Sequence, residues 1–538
     1  MGFTDRLKAA LVLKPKGKEF TVPAGNIKRL SVEAYSYGFS VSVEWWAVSQ
    51  ASASEDELFE HFVKKEPLEA ALKLDRAYDT EGGNALGLEL KGLVEERWVH
   101  ERAFADVQDA PVLQRRYRVR FSDRATVLWR QHFPTGVWVD QKLQEVIEAH
   151  KPDGVDLSFQ WEAAKTKRPL HTLGLGAEGN AASFHDFIHW LLARENAGIF
   201  YDAATGKYEL SDSKPKGGKA TELPRDDVAE LEVCLPEPRR DHVAVLNSYV
   251  EAGTREKKVD NANKVETVRQ EYLLTSPLES TLTDRATLEG QRQRSPEPEL
   301  CIHFRRYPSV TLLLNGLYSF GADWSTKLYT NGKQYRLYRL ELQARAELED
   351  PADNLNDETN NYKMEMTASL ELEADPTFRR PTFTRPAWPF YVEGSVVSEV
   401  GQEEELTYEA KQDSETSLEY YRVKLPLWDK EVLVPYEPHQ QPGHFYFPAD
   451  KGARVLIALD FRSAVLERFL AWRSGAKLPK ESQGNHLLLG KKPESETSIQ
   501  HIYQDAKPLL RILRTSDKDT QVIEVAEGRL KLQVKQEK

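Results

Sequence analysis

Four prolines within fourteen residues constrain the fold more than any other feature of this chain. Pro376, Pro381, Pro386 and Pro389 open the segment PTFRRPTFTRPAWPFYVEGSVVSEVGQEEE, which spans residues 376–405. Each proline fixes φ and removes a backbone donor, so the segment cannot continue a helix or form a central strand. The sequence therefore predicts an extended linker over residues 376–390, with a large part of the chain before it and a smaller part after it.

Size, charge and cysteine content exclude several classes of protein. A chain of 538 residues predicts about two to four domains, because single cores rarely exceed about 250–300 residues. The net charge of −12 argues against a nucleic-acid partner, which would require a basic face. Cys234 and Cys301 cannot form a disulfide framework, and we expect both to be small buried apolar residues. Without a signal-peptide pattern or a long apolar run, the chain is expected to be made in the cytoplasm.

Period-two patterns dominate the part before the linker. Apolar and polar residues alternate over residues 39–44, and similar patterns recur across residues 15–122. Such alternation indicates half-buried antiparallel strands. Residues 55–74 instead predict a helix interrupted near a proline. Strand patterns return over residues 230–375, so we expect two barrel-like units of similar size.

Between those units, residues 123–229 predict a helical and hairpin insert. A first helix is expected over residues 137–150, with Asp140 near its start as the N-cap. A second helix is expected over residues 183–198, followed by a hairpin over residues 199–210. The second helix has one apolar face formed by Phe184, Phe187, Ile188, Leu191 and Leu192.

Short alternating segments follow the linker. Over residues 391–475 they predict a small barrel such as an OB-fold. Residues 476–538 predict strands of four or five residues, which would be marginally stable alone and would expose their edges. Three copies wound around one axis would bury an apolar set from the last strand, namely Leu530, Leu532 and Val534.

The order of these motifs resembles VgrG proteins of type VI secretion systems. The segment DFIHWLLARENAGIFY at 186–201 is similar to a hub motif of that family. The proline linker leads to Gly394-Ser-Val-Val and then Gly401-Gln-Glu-Glu, as at the joint between hub and spike. Arg422-Val-Lys424 matches part of a spike-domain motif.

The resemblance implies a mainly β fold with some α and a homotrimeric assembly. Its parts would be a phage-tail-hub-like domain (1–375), the linker (376–390), an OB-fold-like spike base (391–475) and a short intertwined β-prism or β-helix stub (476–538). The residues expected to serve structure or the trimer interface are Gly394, Arg422, Lys424, Leu530, Leu532 and Val534.

The same resemblance implies a mechanical function, with no catalytic residues and no cofactor. The trimer would sit on a hexameric tube protein, contact baseplate proteins and carry a PAAR-type tip or an effector. It would assemble in the cytoplasm and then be injected, puncturing the target membrane. A hub of a tailocin or of an extracellular contractile injection system is the alternative within this class.

Two alternatives belong to other classes of protein. His185-Asp-Phe-Ile-His189 mimics the H-E-x-x-H motif of zinc hydrolases, in which two histidines one turn apart share the metal. Aspartate is shorter than glutamate, however, and no third ligand stands out nearby. The helical spacing places both histidines on the polar flank, so we expect surface or interface histidines and no metal. The eleven tryptophans would suit an all-β carbohydrate-binding protein, but core or interface packing is their commoner role.

Overall fold

The structure is a computed structural model, and it is mainly β with some α, as the sequence predicts. It describes residues 2–49, 56–78, 87–104, 112–324, 327–401, 409–414, 419–435, 450–470, 484–492 and 494–536. Contacts divide the chain into two compact units. The first comprises residues 1–135, 142–167 and 174–387, and the second comprises residues 136–141, 168–173 and 388–538.

The strands up to the linker are β1 (Phe3–Lys14), β2 (Phe20–Pro23), β3 (Ile27–Tyr35), β4 (Gly38–Ser49), β5 (Glu69–Arg76), β6 (Leu88–Phe104), β7 (Val112–Ser122), β8 (Thr135–Lys142), β9 (Asp156–Gln160), β10 (Lys167–Gly174), β11 (Gly198–Asp202), β12 (Lys207–Ser211), β13 (Thr221–Leu223), β14 (Val228–Cys234), β15 (His242–Asn247), β16 (Glu256–Val259), β17 (Arg269–Leu274), β18 (Glu299–Phe304), β19 (Leu317–Phe320), β20 (Gln334–Ala346) and β21 (Thr359–Leu372). The helices are α1 (Glu57–Phe62), α2 (Arg124–Trp129), α3 (Leu143–Ala149), α4 (Glu162–Lys165), α5 (Phe184–Arg194), α6 (Glu279–Arg292) and α7 (Lys327–Thr330). The later strands are β22 (Phe390–Val397), β23 (Ala410–Gln412), β24 (Glu419–Leu425), β25 (Lys430–Pro435), β26 (Arg454–Leu459), β27 (Ala464–Phe469), β28 (Gly484–Lys492), β29 (Ser495–Gln504), β30 (Lys507–Ser516), β31 (Asp519–Ala526) and β32 (Arg529–Lys535).

Eight antiparallel strands of the first unit close into a barrel. Their order is β20-β3-β4-β7-β6-β5-β1-β21, and β21 returns to pair with β20 along most of its length. Inward-facing residues fill the barrel: Trp45 and Tyr117 are almost fully buried, and their rings stack with centroids 5.3 Å apart. Alternation along each strand therefore produces one apolar interior, as the pattern predicts.

The β20–β21 hairpin extends beyond this barrel into a second set of strands. The first residues of β20 pair with β19, whereas residues 339–345 pair with β3. Likewise, β21 pairs first with β1 and then with β18, which leads on to β14. The two strand-rich segments of the sequence thus share one continuous sheet.

The helical predictions had mixed outcomes. The helix expected over 183–198 is present as α5, and the hairpin after it is present as β11 and β12. The helix expected over 137–150 is wrong in its first half, because residues up to Lys142 form β8 and pair with β10. Asp140 is no N-cap and has a positive φ of 52°. Of the helix expected over 55–74, only α1 is present; the later residues form β5, between β1 and β6 in the barrel.

The second unit contains two antiparallel sheets after the linker. Strands β23-β24-β22-β26-β27 form the first, with β25 also on β24. The second is a meander in which β28 to β32 pair in chain order. The strand predicted near residues 445–448 and the acidic residues after Gly401 lie outside the described residues. Every helix in the described part of the chain is too short or too polar to cross a bilayer.

Candidate functional site

The C-terminal meander presents an apolar row that crosses all five of its strands in register. Neighbouring pairs in this row are Leu487 with Ile499, Ile499 with Ile512, Ile512 with Ile523, and Ile523 with Leu532. Leu487 is 40% exposed and Ile523 is 41% exposed. Because directly opposite residues of an antiparallel pair lie on the same face, these side chains form one continuous stripe. We call it the C-terminal apolar row.

Of the residues expected to meet other copies, Leu532 ends this row, and Leu530 and Val534 lie on either side of it on the same face of β32. Leu530, Leu532 and Val534 of β32 are 66%, 71% and 74% exposed. On the other face of the same sheet, Glu524 is nearly buried and forms an ion pair with Arg511 at 2.8 Å. Ile502 and Leu509 are buried on that face too, so it is the better covered of the two. The predicted role of the exposed residues of β32 at a trimer interface stays a prediction.

Gly394, Arg422 and Lys424 lie in the six-stranded sheet after the linker. A Cβ atom at Gly394 would be only 2.5 Å from Val423 Cγ1, so the close approach of β22 and β24 requires glycine there. Arg422 forms ion pairs with two glutamates, and Lys424 forms one with Asp429 at 2.8 Å. Within one chain all three serve this sheet, and their role in a trimer is also untested.

The linker lies against α5, so the structure joins the two most specific motifs of the sequence. The Asp186 carboxylate caps α5 through Ser183 and also accepts a hydrogen bond from the Thr384 backbone N–H at 2.9 Å. At the other end of α5, Arg380 donates to the carbonyl oxygens of Leu192 and Ala197. Cations are favourable at a helix C-terminus, where carbonyls lack helical partners. Burial, with some help from Arg292, lowers the pKa of Arg380 to about 10.

Arg379, the preceding residue, belongs to a buried charge network at the start of the linker. Its guanidinium donates to Glu299 at 2.5 Å and to Glu371 at 3.1 Å. Lys214 reaches Glu371 at 2.5 Å and Asp375 at 3.4 Å. Burial opposes the charge on Arg379, but Glu299 and Glu371 raise the pKa of the guanidinium above its usual value. Neither Arg379 nor Arg380 was predicted from the sequence to hold the linker in place. The available signal was the Arg-Arg pair between two prolines.

The two histidines of the H-D-x-x-H motif are buried, so their predicted surface position is wrong. His185 is 7% exposed and His189 is 3% exposed, with ring centroids 4.5 Å apart. The His189 ring also meets Tyr37 edge-on, at 6.0 Å. Periodicity identified the most apolar face of α5, but the helix is covered on more than that face. Burial lowers the pKa of His185 to about 4 and that of His189 well below its usual value.

Asp186 is not placed as a general base. Burial would raise its pKa, but hydrogen bonds from Ser183 and Thr384 lower it below the usual value. The carboxylate is engaged in capping the helix, and in the described part of the chain no third ligand joins the two histidines. This geometry therefore favours a structural role for the helix over a metal-dependent hydrolase.

The cysteine prediction is also wrong. Both cysteines lie in strands, Cys234 in β14 and Cys301 in β18, but Cys234 is exposed and Cys301 is half-buried. Both strands have one face toward the core, and the two cysteines lie on the opposite, polar face. Alternation with the neighbouring buried Leu300 and Ile302 contained this information.

Solved structures with the same architecture exist. A chain in a lidless PdpA–VgrG complex matches with a TM-score of 0.74 and 11% identity, covering 99% of both chains. Chains in half-lidded and lidded Francisella PdpA–VgrG complexes match with TM-scores of 0.74 and 0.73, again at 11% identity. These matches cover 98% and 99% of this chain and 88% and 80% of the other chains.

The fold is VgrG-like. This likeness extends over almost the whole chain, so the mainly β, VgrG-like fold expected from the motif order is confirmed. No protein-family model and no curated protein matches the sequence. At 11% identity the similarity establishes the fold alone.

Proposed function

We propose that this chain is a hub-and-spike protein of a type VI secretion system that acts as a homotrimer. The C-terminal apolar row is the observation that carries the proposal. A single chain leaves Leu530, Leu532 and Val534 largely exposed, and soluble monomers rarely expose contiguous apolar surface of this kind. Two further copies of the same chain bring matching rows of the same length and pitch, and the VgrG-like fold supports this arrangement.

The work of such a trimer is mechanical and involves no catalysis. Its hub rests on a hexameric tube protein and on baseplate proteins, and its spike is driven through a target membrane. A PAAR-type tip or an effector is carried at the far end. The similar solved complexes each contain two different proteins, PdpA and VgrG, which supports a second polypeptide attached to the spike. The trimer assembles in the cytoplasm and leaves the cell by injection.

The mass of the full chain in solution tests the trimer. Light scattering at micromolar concentration is expected to give three times the 61.5 kDa of one chain. Leu532→Glu places three carboxylates in the shared interior, and we expect it to reduce the species to a single copy. Val250→Glu is the matched control, because Val250 is 82% exposed in the first unit and outside the apolar row.

A stable single-copy species at micromolar concentration, or an unchanged trimer in Leu532→Glu, would overturn the proposal. Affinity capture on the full chain then separates the two injection systems. Recovery of a type VI tube protein from the producing cells is the expected result. Recovery of a phage-type tube protein would instead place the trimer in a tailocin or an extracellular contractile injection system.

A further inference from the structure

Three side chains with metal-binding atoms meet on the polar face of the sheet in the first unit. Cys301 and His303 are two residues apart in β18 and therefore point to the same side. Glu232 of β14 lies directly opposite Cys301 in the antiparallel register. The ligand atoms of these three residues all lie within 4.8 Å of one another.

The distances are close to those that zinc requires. Cys301 Sγ and His303 Nε2 are 3.9 Å apart. With Zn–S of about 2.3 Å and Zn–N of about 2.0–2.1 Å, tetrahedral geometry places the two atoms about 3.6 Å apart. For this pair, side-chain adjustments of a few tenths of an ångström are therefore enough, and the Glu232 carboxylate lies within 4.8 Å of both atoms.

The imidazole is also oriented for binding. Thr367 of β21 lies opposite His303 in register, and its Oγ1 is 3.5 Å from His303 Nδ1. When Nδ1–H donates to this hydroxyl, Nε2 keeps its lone pair on the side that faces Cys301. Metal-binding histidines almost always have such a partner on the second nitrogen, because it fixes both tautomer and ring orientation.

The charge balance suits a divalent cation. A Cys301 thiolate and the Glu232 carboxylate together neutralise a 2+ ion, with a neutral imidazole as third ligand. Arg339 lies on β20, which is separated from β18 by β21, and forms an ion pair with Glu341, so its positive charge is already balanced.

We propose that Glu232, Cys301 and His303 form a binding site for a soft divalent cation, with Zn²⁺ as the preferred ion. Thiolate and imidazole ligands select zinc over magnesium or calcium, which prefer oxygen. A fourth position stays open for water or for a ligand from another chain. Because β14 ends the strand order beside β18, the ion would fasten this terminal strand to its neighbour. The site is independent of the proposed function in secretion.

Metal titration of the untagged, chelator-treated full chain tests the site. We expect one equivalent of Zn²⁺ to bind, and one equivalent of Co²⁺ to give a thiolate-to-cobalt charge-transfer band in the near ultraviolet. Cys301→Ser is expected to abolish that band and to weaken zinc binding at least about 100-fold, the upper end of what loss of an outer-shell partner costs. Cys234→Ser is the matched control and should retain both signals, because Cys234 lies outside the cluster.

Glu232→Gln keeps the test decisive if Cys301→Ser does not fold, because Glu232 is exposed and glutamine has the same shape. It should weaken zinc binding while leaving the circular dichroism spectrum unchanged. Substoichiometric zinc, a cobalt spectrum without the charge-transfer band, or equal losses in Cys301→Ser and Cys234→Ser would overturn the proposal. The contact between Cys301 and His303 would then be an ordinary S–H···N hydrogen bond.

Discussion

The barrel of the first unit and the meander of the second differ in how their strand edges and apolar side chains are covered. In the barrel, each of the eight strands has a neighbour on both sides, because β21 pairs with β20 and closes the ring. In the meander, five strands pair in sequence and leave an apolar row on one face. The strand pairing of the barrel is therefore complete within one polypeptide. The meander leaves this row exposed in a single chain, and in the proposed trimer other copies cover it.

This difference has a thermodynamic consequence. Contacts inside the barrel stabilise one chain, so their contribution does not depend on protein concentration. In the proposed trimer, contacts made by the C-terminal apolar row form between chains, and association shifts stability by mass action. Measuring stability at several protein concentrations therefore distinguishes the contribution of the barrel from that of the C-terminal apolar row. A single melting curve cannot do so.

The largest effect is expected from truncation of the barrel core. Trp45→Ala removes a side chain that is 1% exposed and stacked on Tyr117, and we expect it to lower the free energy of unfolding by about 3–5 kcal/mol. Denaturant unfolding at several protein concentrations measures both the loss and its independence of concentration. Trp98→Ala, at a 40% exposed position in β6, should cost far less. A destabilisation that grew on dilution would contradict the self-contained barrel.

The buried charged groups of the first unit are likewise expected to be stabilised by partners within the same chain. Arg379→Met leaves Glu299 without its cation and Glu371 with Lys214 alone, and the expected loss is about 3 kcal/mol, since an uncompensated buried charge is costly. Arg345→Met breaks an exposed pair with Glu349 and should cost under about 1 kcal/mol. Chemical denaturation measures both. Equal costs would mean that the network at the start of the linker is as well solvated as a surface pair.

The sequence was informative wherever local pattern decides structure. Helix α5, the β11–β12 hairpin and the last four strands of the meander follow from spacing and turn residues within a few positions. Those four strands are longer than the four or five residues predicted, and β28 was not predicted. The motif order was enough to predict the VgrG-like fold. The linker and α5, which carry two of those motifs, lie together in the structure.

The sequence was uninformative where contacts between residues distant in the chain decide the structure. Residues 137–142 have helix-forming neighbours but pair as β8 with β10, and β5 is held between β1 and β6. The cluster of Glu232 with Cys301 and His303 joins residues about seventy positions apart, which no local pattern reveals. The buried histidines of α5 show the same limit, because periodicity identifies one covered face and not a helix covered on several.

Acidification is expected to weaken the first unit by an intermediate amount. The His185 pKa is about 4 in the fold, against an ordinary value of 6.5. The unfolded chain therefore binds the proton first as pH falls, and stability present above about pH 6.5 is lost toward pH 4. Between pH 7 and pH 5 this group alone should cost about 2 kcal/mol.

His185→Gln should flatten that dependence, whatever its effect at neutral pH. The measurement is the free energy of unfolding at a series of pH values at fixed ionic strength. His61→Gln, at the C-terminal end of α1, is the control for a histidine outside this cluster. An identical slope in wild type and His185→Gln would show that His185 is accessible to protons in the folded chain, contrary to its burial.

The smallest effect is expected in the second unit, where β22 and β24 approach each other closely at Gly394. Gly394→Ala places a Cβ atom 2.5 Å from Val423 Cγ1 and 3.0 Å from the Lys424 carbonyl oxygen, so β22 and β24 must move apart. Overpacking of this kind costs about 1–3 kcal/mol, and the lower end is expected because Cγ1 belongs to a side chain that can shift. Gly253→Ala, with no atom within 4 Å of the added carbon, should be neutral.

If Gly394→Ala also reduces the trimer mass while the six-stranded sheet stays folded, Gly394 serves the interface between chains as well as its own sheet. If the free energy of unfolding falls but the trimer mass does not change, Gly394 resembles the barrel residues in serving only contacts within one chain.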